Sequence, residues 1–203
     1  MNKNIFHQSG LILPADRYQQ AGHQPVILWF TGFSGAGKST LAHAIEKALF
    51  DLGCRTFVVD GDNVRHGLCS DLGFTAHDRQ ENIRRIGELS KLFLDAGIIT
   101  LTAFISPFRA DRERVRTLVK DGEFIEIYCN ADLAVCEQRD TKGLYKKARC
   151  GEIADFTGIS SPYEPPQNPE LVINTATETL EDSVNIVLAY LAQRGIIKSA
   201  LNE

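Results

Sequence analysis

Gly32-Phe33-Ser34-Gly35-Ala36-Gly37-Lys38-Ser39 fills the pattern G-x-x-x-x-G-K-[ST] at all four defining positions. Upstream lies the apolar run 26–31 (VILWFT); downstream Leu41, Ala44, Ile45, Ala48, Leu49 and Leu52 recur at helical spacing up to Gly53. A strand, a glycine-rich turn and a helix in that order make a phosphate cradle. The backbone curls so that N–H groups from Gly32 through Ser34, Gly35, Ala36 and Gly37 to Thr40 face phosphate oxygens, and the helix dipole adds to the attraction. Lys38, expected at the exposed end of the cradle, is placed to reach the β and γ phosphates, and the Ser39 hydroxyl to ligate Mg²⁺. The expected ligand is ATP or GTP.

Working outward, apolar runs alternate with amphipathic ones. Strands are expected at 26–31, 55–60, 98–105, 124–129 and 170–174, several apolar throughout, as strands covered on both faces are. Helices are expected after the cradle, over 78–96 with Ile83, Ile86, Leu89 and Phe93 inward, after Pro107 with Val115, Leu118 and Val119 inward, and over 179–193. In the last, Thr179 and Asp182 form a capping box and Leu180, Val184, Val187, Leu188 and Leu191 the buried stripe. Ser106-Pro107 reads as a helix start, serine capping and proline at the first helical position. The alternation predicts a mostly parallel five-stranded α/β sheet with helices on both faces. One domain over 25–203 is expected, preceded by an extension over 1–24.

At 203 residues and 43% hydrophobic content the chain affords a core, and its formal charge of −4 excludes a molecule built as a whole to hold nucleic acid or an anionic membrane. Charge is unevenly spread: residues 65–149 carry 15 basic groups against 13 acidic ones, net +2, leaving 7 against 13, net −6, elsewhere. An anion is therefore expected in the middle of the chain. Five widely spaced cysteines without a Cys-x-x-Cys pair argue for reduced thiols, and no apolar run approaches a membrane span. A cytoplasmic protein is expected.

The second strand ends in Asp60-Gly61-Asp62, two carboxylates at the edge where open parallel sheets bind ligands. One can orient Mg²⁺ and the other accept the proton of an attacking hydroxyl; the structural alternative is an Asx turn in which Asp62 or Asn63 caps a short helix. Residues 139–168 begin with five basic groups in eleven positions, Arg139, Lys142, Lys146, Lys147 and Arg149, and end in Pro165-Pro166-Gln167-Asn168-Pro169 just beyond. Such a segment reads as a mobile lid that neutralises charge on closing. No Asn-Lys-x-Asp base reader is present, and the third strand runs out at Ser106 where translocating ATPases usually carry Asp, so a small-molecule kinase fits best.

Taken together, GFSGAGKST, DGDNVRHGL, DLGF with DRQENIRRIGE, AFISPFRADR, CEQRDTKGLYKKARCGEI and FTGISSPYEPP resemble the adenylylsulfate kinase family over most of residues 26–174. Phe33 and Ala36 stand where many relatives carry Leu and Ser. The resemblance implies the three-layer P-loop fold, and transfer of the γ-phosphoryl group of ATP to the 3′-hydroxyl of adenosine 5′-phosphosulfate in sulfate assimilation. It implies that Arg65, Arg79 and Asn82 hold the phosphosulfate, that Phe74 and Phe156 sandwich the acceptor adenine, that Lys142 and Ile105 contact the acceptor, and that Arg139 contacts ATP. A homodimer is expected. Ser106 has two readings, a substrate-side hydrogen-bonding residue in direct transfer or a phosphoserine intermediate; direct transfer is favoured because one closed site needs no covalent stop. Alternatives are a kinase for another small acceptor and a catalytically silent nucleotide-binding module.

Overall fold

The computed structural model describes residues 6, 8 and 10–198. Part of the expected extension, including Lys3, and the last five residues lie outside them. In chain order the elements are α1 (Pro14–Ala21), β1 (Ile27–Thr31), α2 (Lys38–Asp51), β2 (Thr56–Asp60), α3 (Gly61–Val64), α4 (Ala76–Asp95), β3 (Ile99–Ala103), α5 (Arg109–Arg116), β4 (Phe124–Cys129), α6 (Leu133–Arg139), α7 (Leu144–Arg149), β5 (Leu171–Ile173) and α8 (Leu180–Gln193). The five strands form one sheet in the order β2-β3-β1-β4-β5, every pairing parallel.

Parallel pairing puts the carboxyl ends of β1, β2 and β3 along one edge. From β1 the chain runs out through α2 to β2 and back to β3, then crosses to β4 on the other side of β1, so β1 opens onto the crevice where such sheets receive ligands. Residues 27–31 are all buried, because side chains of alternating direction meet different helix layers. Leu28 and Phe30 pack with Leu41, Ile45, Val187 and Leu191 from α2 and α8. Ile27 and Trp29 pack with Ile83 and Ile86 of α4, Val115 of α5 and Phe104. No helix among the described residues is long and apolar enough to cross a membrane.

Several expectations change in detail. The third strand stops at Ala103, three residues before Ser106, and α5 starts at Arg109 with Phe108, not Ser106, at its N-cap. Ser106 has φ +40, a left-handed conformation that the extended backbone of a capping serine does not share. At Thr179 the N-cap half of the expected capping box forms, with Asp182 N donating to Thr179 Oγ1 at 3.1 Å, while the Asp182 carboxylate accepts from the Thr179 hydroxyl at 2.7 Å instead of from its backbone. Leu180, however, is 46% exposed, and its place in the buried face of α8 goes to Ser183. In α2, Leu52 is likewise exposed and Ala42 takes the core position. The stretch 139–168 is not wholly irregular, since it contains α7.

Candidate functional site

The cradle is built by close backbone packing. Gly32 has φ +150, and a Cβ there would lie 2.6 Å from Cys129 O; one on Gly35, at φ +74, would lie 2.9 Å from Cys136 O. Only glycine lets the loop lie this close to the ends of β4 and α6. Two residues not singled out in the sequence brace it from outside. Tyr145 OH donates to Ser34 O at 2.9 Å and Thr175 Oγ1 to Ala36 O at 2.9 Å. Neither follows a spacing that would have revealed it.

Lys38 is not at an exposed end of the loop. It is 8% exposed, its Nζ donating to Gly32 O at 3.1 Å and Phe33 O at 2.7 Å. Burial pushes its pKa down, while the nearby cysteines, Asp60 and Asp62 oppose that shift. Beyond it, Ser39 Oγ donates to Asp60 Oδ2 at 2.6 Å. That hydroxyl–carboxylate pair is an all-oxygen donor set fit for Mg²⁺, which keeps several waters and shares its ligation with phosphates. Among the described residues no cluster of three His, Cys, Asp or Glu offers an all-protein cage.

Asp60 also caps α3, its Oδ1 accepting from Asp62 N at 2.9 Å. The structural reading of this turn is met with Asp60 rather than Asp62 or Asn63 as the cap, and both carboxylates line the cleft. Asp62 Oδ2 accepts from Lys142 Nζ across the cleft, and this bond pushes the Lys142 pKa up.

One cleft of about 1150 Å³ is lined by the cradle, Asp60, Asp62, Ile105, Ser106 and, farther out, Arg65, Phe74, Arg79, Asn82, Arg139, Lys142 and Phe156. Phe74 is 54% exposed with Arg65 Cζ 4.2 Å and Arg79 Cζ 5.6 Å from its ring centroid. Phe156 is buried, edge-on to Tyr145. Asn82 is 3% exposed, and its Nδ2 has no partner among the described residues.

The cationic groups divide in two. Arg84, Arg85, Arg112, Arg116 and Arg149 are matched by carboxylates. In the cleft only backbone carbonyls hold the guanidiniums. Arg65 donates to Leu72 O and Gly73 O, Arg79 to Phe74 O and Asp155 O, and Arg139 to Thr175 O at 2.6 Å. Carbonyls orient a fork without cancelling its charge. Burial lowers the pKa of both Arg65 and Arg79, and the charge of Arg65 lowers Arg79 further. None of these three guanidiniums makes an ion pair among the described residues, although Asp62 and Asp78 act on Arg65, and Asp155 on Arg79, through space.

The lid expectation is narrowed accordingly. Of its five basic groups, Arg139 and Lys142 face the cleft. Arg149 pairs with Glu137 on α6, and Lys146 and Lys147 do not line the cleft. Helical spacing on α7 turns these three away from the cleft-facing side.

Residues 24–174 match the family described as Adenylylsulphate kinase. The adenylyl-sulfate kinase of Acaryochloris marina is 61% identical over 197 residues, 97% of this chain and 96% of that protein. The structure of the Mycobacterium tuberculosis APS kinase in complex with AMPPNP and APS is 43% identical with a TM-score of 0.80, covering 83% of this chain and 98% of that one. A hexameric APS kinase from Thiobacillus denitrificans is 32% identical with a TM-score of 0.68, covering 91% of this chain and 32% of that one.

Proposed function

The chain belongs to the adenylylsulphate kinase family, and from that premise we propose how its cleft moves a phosphoryl group from ATP to the 3′-hydroxyl of adenosine 5′-phosphosulfate. The observation that carries the reading is the contrast among arginines. Among the described residues Arg65, Arg79 and Arg139 form no ion pair and lie in the same cleft as the cradle, an arrangement that suits two polyanionic substrates.

The triphosphate lies along Gly32–Thr40, with Lys38 giving up its carbonyl contacts to reach the transferring group. Arg139 takes the donor nucleoside side. Phe74 and Phe156 offer flat faces to the acceptor adenine, and Arg65, Arg79 and Asn82 offer donors to the phosphosulfate. Ile105 and Ser106 border the reacting hydroxyl. Asp62 accepts its proton, and Lys142, reaching over from the lid, orients that carboxylate and excludes water. Ser39 and Asp60 hold Mg²⁺, which when bound neutralises charge on the phosphates.

Ser106 Oγ accepts from Trp29 Nε1 at 3.1 Å, and no base among the described residues receives its proton. A nucleophilic serine needs such a base, which favours direct transfer over a phosphoserine. The five cysteines are unpaired, in keeping with a cytoplasmic enzyme. A homodimer is part of the proposal: Phe57 on the edge strand β2 is 51% exposed against Phe93, an apolar surface a second copy can cover, and sedimentation distinguishes a dimer from a hexamer. The functional reading is tested by ADP release with adenosine 5′-phosphosulfate beside AMP, shikimate and gluconate. Turnover confined to the phosphosulfate is expected; equal turnover of another acceptor overturns the assignment of the arginine patch.

A further inference from the structure

Ser106 sits at φ +40 and is 2% exposed. A non-glycine residue in that region is strained, and the surrounding structure must over-determine it. Two buried side chains do so. Trp29, fully buried at the centre of β1 and flanked by Phe104 and Phe124 at 6.2 and 5.7 Å, gives its only described hydrogen bond to Ser106 Oγ. Arg112, 3% exposed, donates to Ser106 O at 2.6 Å, to Glu126 Oε1 at 2.6 Å and to Glu164 O at 2.8 Å. Glu164 belongs to the downstream root of the lid, where its N–H also donates to Pro107 O and its Oε2 accepts from Arg109 N.

We infer that Trp29 and Arg112 are positioning residues for the acceptor, a two-point clamp that turns the Ser106 hydroxyl into the cleft and ties this turn to the root of the lid. The inference rests on the reading of Ser106 as an acceptor-side residue. Because Trp29 N–H occupies a lone pair of Oγ, the hydroxyl hydrogen remains to be donated, and its direction is set. A buried indole needs only some acceptor, and an unstrained carbonyl would serve. A strained serine beneath the cleft points instead to the hydroxyl as the thing being placed. Arg112 fixes the same residue through its carbonyl, so that Ser106 cannot relax to negative φ without breaking a charge-assisted hydrogen bond.

The test is a double-mutant cycle on acceptor kinetics. Trp29→Phe removes the N–H and keeps an aromatic ring between Phe104 and Phe124. It should raise the KM for adenosine 5′-phosphosulfate by roughly tenfold, the worth of one buried hydrogen bond, and leave the KM for ATP unchanged. In a Ser106→Ala background the same substitution should cost almost nothing further, because Trp29 then has no hydroxyl to direct. If Ser106→Ala is impaired and Trp29→Phe adds its full loss on top, the clamp is overturned while the role of Ser106 stands. If Ser106→Ala leaves acceptor kinetics unchanged, the reading of Ser106 falls and the inference with it. Should Trp29→Phe not fold, Arg112→Lys decides through the same cycle: it keeps the charge beside Glu126 and loses the fork that holds Ser106 O, and additive losses count against the clamp.

Discussion

Replacing Asn82 with leucine should make the protein more stable and a poorer kinase. The amide is 3% exposed on α4, and its Nδ2 has no partner among the described residues. A buried donor left without a hydrogen bond costs about 1–3 kcal/mol. Leucine is close in shape and carries no polar atom, so it recovers most of that penalty. At about 2–4 °C per kcal/mol for a chain of this size, the melting temperature should rise by several degrees. In the proposed function that donor is kept for the phosphosulfate, and a hydrogen bond to a charged group contributes about 1.5–3 kcal/mol. Asn82→Leu should therefore lower kcat/KM for the acceptor by about 10- to 150-fold, with KM for ATP unmoved. Differential scanning calorimetry and initial rates with each substrate varied read both signs. A variant that melts lower and keeps its acceptor kinetics would refute the reasoning, since Asn82 would then be an ordinary satisfied core residue.

Asp62→Asn keeps the shape of the turn and removes the carboxylate that Lys142 grips; kcat should fall by ~10² or more, and a change confined to ATP affinity would show the proton acceptor to be elsewhere. Glu81 is held down to about 2 from 4.5 by Arg84 and Arg85. A depressed carboxyl contributes stability that is full above its unfolded value and lost as pH falls through its folded one, so Glu81→Gln should flatten the decline of urea midpoints between about pH 4.5 and 2; an unchanged slope contradicts this. Cys54, Cys69, Cys129 and Cys136 are buried and Cys150 is exposed, with burial pushing Cys129 up to about 12. Native protein should take up iodoacetamide quickly at Cys150 alone, which peptide mass spectrometry resolves, and rapid labelling of Cys129 would show the cradle to be open to solvent.

Much of the fold was legible because a parallel sheet covered on both faces leaves an unmistakable trace. The run at 27–30 is apolar on consecutive residues and that at 124–129 is broken only by Glu126, and the helices between carry their apolar groups at spacings of three and four. Strand order was not legible, since it depends on which crossovers pack, not on any local pattern. In the site, the cradle and the Asp60–Asp62 turn were readable because phosphate chemistry demands fixed residue types at fixed spacing. Ser106 misled because Ser-Pro is a strong local start signal, and only the tertiary contacts of Trp29 and Arg112 set its left-handed backbone. Leu180 misled for a related reason: it continues the periodicity of α8, yet this first residue of the helix has run past the core and lines the cleft. Trp29, Arg112, Tyr145 and Thr175 carried no sequence signal. They act through partners 6 to 139 positions away, and such pairs are fixed only when the sheet assembles.

The central claim is that the phosphoryl group passes directly, within one cleft, from ATP on the cradle to the 3′-oxygen of adenosine 5′-phosphosulfate. Its most direct test is the stereochemistry of transfer from ATP made chiral at the γ-phosphorus with oxygen isotopes. A single in-line displacement predicts 3′-phosphoadenylyl sulfate with inverted configuration at that phosphorus. Retention would require two displacements, and would contradict the account by restoring Ser106 or another residue as a covalent carrier.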